Sequence, residues 1–174
     1  MKLVRLQKTK YLHSAMTGIG ASREGGRWNA AGTSLVYCST SLSLATLEVL
    51  VHTKRIKRML PRYSVIEVVV ADKAIELLDL DALPPDWRTN EPACVALGQA
   101  WITSMRSVGL QVPSAVTMGE YNVLLNPTHS QFAKRVHVST PHAPAEFDMR
   151  VFKASKRGKP VKRPRVARRR SSSR

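Results

Sequence analysis

The sequence predicts an α+β fold, on three observations. Six short runs are rich in β-branched or aromatic residues, and turn residues bound most of them. Only two longer segments carry helical patterning. Strands and helices do not alternate regularly and no internal repeat is visible, which argues against a doubly wound parallel sheet. A length of 174 residues suits one domain large enough to bury a core.

In chain order, "KLVRL" (2–6) reads as the first strand and "LVYCS" (35–39) as the second. A helix follows over 42–55, with Thr40 or Ser41 available as its cap. The run "YSVIEVVV" (63–70) is the longest strand. A second helix covers 91–107, with Pro92 in its first turn, where a missing N–H costs nothing. The strands "LQVPSAV" (110–116) and "YNVLL" (121–125) come next. A short helix over "HSQFAKR" (129–135) leads into the strand "RVHVS" (135–139).

The formal net charge is +16, and its distribution matters more than its size. From Val151 onward there are eleven Lys or Arg and no acid. Taking those eleven from the total of 28 leaves 17 basic against all 12 acidic residues, a net of +5 for the first 150 positions. Residues 1–152 therefore read as the folded domain and 153–174 as a disordered basic tail, rich in Pro, Ser and Arg without apolar periodicity. Such a tail, like the run "KRIKR" (54–58), can contact nucleic acid through counterion release without reading its sequence. A non-enzymatic nucleic-acid-binding protein is thus one reading, and it leaves the features below unexplained.

Other classes find little support. Two cysteines and five scattered histidines show no ligand spacing, so no metal site is expected. No apolar run approaches the length of a membrane span, and the N-terminus lacks the apolar stretch of a signal peptide, so the expected location is the cytoplasm.

Three features carry chemistry. Glu48 shares a helical face with Leu44, Leu47 and Val51; a carboxylate on an apolar stripe must be paired, for instance with His52, or used. In "REGGRWN", Gly25-Gly26 allow a tight turn or close approach, and they deliver Arg27, whose forked guanidinium suits phosphate. Ser114 follows Pro113 with no "GxSxG" around it, so a hydroxyl that hydrogen-bonds is expected rather than a nucleophile. Asn126-Pro127 reads as a turn.

The order "GGRWNAAGTSLVYCSTSLSLATLEVLVH", "LPPDW", "VPSAV", "YNVLLNPTHSQF" resembles the RES domain family, named for its Arg, Glu and Ser, over roughly residues 2–138. The resemblance places Arg27, Tyr37, Glu48 and Ser114 in the family's order. It implies an ADP-ribosyltransferase-like fold of mixed or antiparallel sheets with a few helices. It further implies a toxin of a bacterial toxin–antitoxin pair that destroys NAD as glycohydrolase or phosphorylase, or, in one branch, modifies proteins with ADP-ribose. NAD is then substrate, and no separate cofactor is expected. Arg27, Tyr37, Glu48 and Ser114 become the catalytic set, with Arg5, Trp28, Asn29 and Asn126 as NAD contacts. The implied partner is an Xre-type helix-turn-helix antitoxin that blocks the NAD site in a hetero-oligomer. DNA contact would then come mainly through the antitoxin, with the basic tail contributing.

Overall fold

A computed structural model describes residues 1–52, 62–139 and 143–146. The run 54–58 and the tail 153–174 lie outside the described residues. Among the described residues eight strands form one sheet: β1 (Lys2–Lys8), β2 (Val36–Ser39), β3 (Tyr63–Val70), β4 (Ile75–Leu77), β5 (Gly109–Pro113), β6 (Tyr121–Leu125), β7 (Val136–Val138) and β8 (Ala143–Pro144). Their order is β4-β5-β6-β2-β1-β3-β7, with β8 also pairing β3. β4 and β5 run parallel, and the other pairs are antiparallel. Among the described residues the α-helices are α1 (Ile19–Glu24), α2 (Leu42–His52), α3 (Glu91–Ser104) and α4 (Phe132–Arg135), so the class is α+β with mixed pairing.

All six expected strands form, those over 63–70 and 121–125 with the expected ends and the other four with shifted ones. The strand expected to reach residue 116 stops at Pro113, because Ser114 turns the chain: its N–H bonds Glu120 O and its hydroxyl accepts from the N–H groups of Val116 and Thr117. Ser41 caps α2 by accepting from Leu44 N at 3.1 Å. Asn90 caps α3 through Ala93 N, and the helix ends at Ser104, three residues early, with Met105 in the left-handed region at φ 51°. The strands β4 and β8 and the short helix α1 were not expected; three, two and six residues are too few to show a period.

The sheet buries both faces. On one, Leu3, Val36, Cys38, Ile66, Val68, Val70, Val123 and Leu125 form a core that Leu12, Ala15, Met16 and Phe132 cover. The other face carries two separate apolar clusters. Trp28, Leu35, Leu110, Val112 and Leu124 pack under Cys94 and Trp101 of α3. Leu6 and Tyr63 pack under Ala45 of α2, with Val4, Val65 and Val49 against them. Each fully buried aliphatic side chain contributes about 1.5–3 kcal/mol to the fold. Between these two clusters, on the same face, lies a short polar row.

Candidate active site

Pairing register builds that row. Ser39 ends β2 directly opposite Asn122 near the start of β6, while Pro113, at the end of β5, faces Tyr121. Three neighbouring strands therefore bring Ser39, Asn122 and Ser114 to one end of the sheet. The helix α2 crosses above, packed on β1 and β2. Its sheet-facing stripe is the buried Leu44 and Ala45 and the partly buried Val49, with Glu48 in their midst. Leu47 and Val51 of the expected stripe are exposed instead, because the helix is rotated to set Ala45 and Val49 against Leu6 and Tyr63.

Glu48 is half-buried, and its Oε1 receives two hydrogen bonds, from Asn122 Nδ2 at 2.6 Å and Ser114 Oγ at 3.0 Å. The alternative pairing with His52 is not the one adopted. Asn122 Oδ1 in turn accepts from Ser39 Oγ at 2.7 Å. Among the described residues both donors fall on Oε1, which leaves Oε2 able to accept from a ligand. Ser114 is 1% exposed, with its proton given to Glu48 and its oxygen accepting from two backbone N–H groups. A hydroxyl so committed orients a carboxylate and is badly placed to attack.

Two residues before Ser39, on the same face of β2, stands Tyr37, about 6.5–7 Å along the strand. Its hydroxyl donates to Asn29 Oδ1 at 2.7 Å and accepts from Trp28 N at 3.1 Å. Burial pushes its pKa up to about 12, against a smaller lowering by the Trp28 N–H, so the phenol stays protonated and donating at neutral pH. Tyr37 thereby anchors the loop that carries Arg27. Gly26 makes this possible: a β-carbon there would lie 2.6 Å from the phenol oxygen.

Trp28 and Asn29, expected as NAD contacts, are both buried and support the loop wall beside Tyr37 from behind. Trp28 is 3% exposed, embedded in the cluster under α3, with its ring 6.4 Å from that of Trp87. Asn29 Nδ2 donates to the carbonyls of Ala21, Ala30 and Thr33, each at 3.0 Å, which spends its amide on holding the loop. Arg27 is held more loosely. Its Nη1 donates to Trp87 O at 3.3 Å and its Nη2 lies 3.7 Å from Glu91 Oε1, with a quarter of the side chain exposed. Such a guanidinium can exchange these contacts for an anion.

Two expected ligand contacts sit elsewhere. Arg5 faces Ile66 across β1 and β3, on the opposite face of the sheet from Ser39 and Asn122, since strand side chains alternate. Its Nη1 donates to Tyr37 O and its Nη2 to Gln7 Oε1, both at 2.8 Å, and burial lowers its pKa. Asn126 follows the far end of β6, where its Oδ1 caps a turn by accepting from Thr128 N at 3.0 Å and Thr128 Oγ1 at 2.7 Å. It holds the turn that its pairing with Pro127 suggested. The sequence assigned no role to Asn122 or Ser39. Their one signal is a polar residue at a strand position whose neighbours point to apolar layers.

The chain belongs to the RES domain family, which it matches over residues 2–148. It is 39% identical to "Toxin Res" of Photorhabdus laumondii subsp. laumondii, over 90% of this chain and all of that one. It is 38% identical to the "Prs ADP-ribosylating toxin" of a Sphingobium species, over 66% of this chain and 73% of that one. The fold is similar to a chain in the crystal structure of the M. tuberculosis MbcT–MbcA toxin–antitoxin complex. The TM-score is 0.60 at 22% identity, over 80% of this chain and 81% of that one. Among the described residues no helix is long and apolar enough to cross a membrane.

Proposed function

We propose that this protein is the toxin of a toxin–antitoxin pair and that it depletes NAD by cleaving the nicotinamide–ribose bond. One observation carries the reading. A half-buried carboxylate, Glu48, is clamped through one oxygen by Ser114 and Asn122, while its other oxygen is left for a ligand. The naming of its relatives as toxins, one of them ADP-ribosylating, supports the substrate class.

The chemistry fits these residues. Breaking the bond builds positive charge at the anomeric carbon, in an oxocarbenium-like transition state. Glu48, fixed in place, stabilises that charge and accepts from a ribose hydroxyl through Oε2. Arg27 forks onto the pyrophosphate and draws the dinucleotide against the wall that Trp28 and Asn29 support. The Tyr37 ring packs on nicotinamide and orients it for departure. Nicotinamide leaves as a neutral base, so no strong general acid is needed. Water then yields ADP-ribose and a proton; phosphate yields ADP-ribose carrying the phosphate on its anomeric carbon.

The test is to incubate the purified protein with NAD, with and without phosphate, and identify products by NMR and mass spectrometry. Free nicotinamide is expected in equal amount to NAD consumed. Intact NAD under both conditions overturns the reading. A second reading, transfer of ADP-ribose to a protein, is favoured by the similarity to the ADP-ribosylating relative. Labelled NAD added to a cell lysate separates it, since label would then enter protein. The partner in either case is an Xre-type antitoxin covering the NAD site, in the cytoplasm where the NAD pool lies. Its co-purification and its suppression of NAD loss check that part.

A further inference from the structure

We infer that Asn122 is a positioning residue that aims the Glu48 carboxylate, and that Ser39 fixes which way the Asn122 amide points. This deepens the reading above and rests on it. An ionised carboxylate only accepts, so the nitrogen end of the Asn122 amide must face Glu48, and it does so at 2.6 Å. The oxygen end then faces Ser39, whose hydroxyl donates at 2.7 Å. Ser39 and Asn122 are register partners across β2 and β6, so the sheet itself holds the pair. Glu48 stands on a helix and Ser114 in a turn. The strand pair is therefore the rigid reference against which the carboxylate is set. With Oε1 pinned from two sides, the carboxylate cannot rotate freely, and Oε2 keeps one direction towards the ribose.

Purified full-length variants test this with NAD kinetics and thermal melts. Asn122→Ala should lower kcat about ten- to a hundred-fold, the worth of one hydrogen bond to a charged group, while KM changes by less than about three-fold. Ser39→Ala should cause a smaller loss of kcat, and Ser39→Thr, which keeps the hydroxyl, should restore it. In a Glu48→Gln background Asn122→Ala should cost no more than about two-fold, because residues that act as one unit are not additive. A merely structural role would lower the melting temperature and leave this non-additivity absent. Should Asn122→Ala not fold, the Ser39 pair of variants carries the test alone.

Unchanged kcat in Asn122→Ala, an effect on KM only, or full additivity with Glu48→Gln overturns the inference while leaving NAD cleavage standing. A wild-type protein that leaves NAD intact overturns both.

Discussion

Gly98 of α3 lies so close to Trp28 that a β-carbon on it would sit 1.9 Å from the Trp28 carbonyl oxygen. The obstacle is backbone, which cannot swing aside as a side chain would. The helix thus presses against the loop one residue from Arg27, and position 98 admits only glycine. Gly98→Ala should destabilise the protein by about 1–3 kcal/mol, although alanine is the better helix former. It should also raise the KM for NAD by displacing Arg27. Chemical denaturation and steady-state kinetics check both, and a variant as stable as wild type would show the contact to be looser than described.

Tyr37 predicts an alkaline limit. Its folded-state pKa of about 12 lies above the ordinary value near 10, because burial disfavours the phenolate. The stability carried by the neutral phenol is complete below about pH 10 and is lost as the pH rises through about 12. Tyr37→Phe should abolish the latest step of the ultraviolet tyrosinate titration and flatten the fall in stability between those values. It should also free Asn29 Oδ1 and Trp28 N, so NAD turnover falls in a variant that remains folded at neutral pH.

Glu48→Gln separates charge from shape. Glutamine can present an oxygen to Ser114 and Asn122, and it removes the cost of half-burying a charge while weakening two charge-assisted bonds. Stability should stay within about 1 kcal/mol of wild type. Turnover of NAD should fall by about two to three decades, because the charge opposite the developing cation is gone. Melting curves and NAD consumption, together with growth of cells expressing each form, measure this. Wild-type turnover in the variant would remove Glu48 from the chemistry.

Arg27→Lys keeps the charge and loses the fork. The present partners, a carbonyl at 3.3 Å and an exposed carboxylate at 3.7 Å, hold the side chain weakly, so stability should change by less than about 0.5 kcal/mol. The kcat/KM for NAD should drop about ten- to a hundred-fold if the guanidinium grips the pyrophosphate. Kinetics indistinguishable from wild type would place Arg27 off the substrate.

The sequence by itself determined the α+β class, the central strands, both long helices and a cap at Thr40 or Ser41, because short periodic patterns and capping residues act within a few positions of the chain. It also singled out Glu48, since a carboxylate among Leu44, Leu47 and Val51 is conspicuous in one dimension. Which face of that helix is buried was decided by packing: Ala45 and Val49 meet Leu6 and Tyr63, which turns Leu47 and Val51 to the surface. The partners of Glu48 were decided the same way. Asn122 lies 74 residues away and Ser114 66, and only the register of β5, β6 and β2 sets them beside it. Register also sends Arg5 to the opposite face, because one step along a strand reverses the side chain's direction. Local patterns specify elements, but a site assembled across strands exists only once long-range pairing has chosen which residues stand opposite one another.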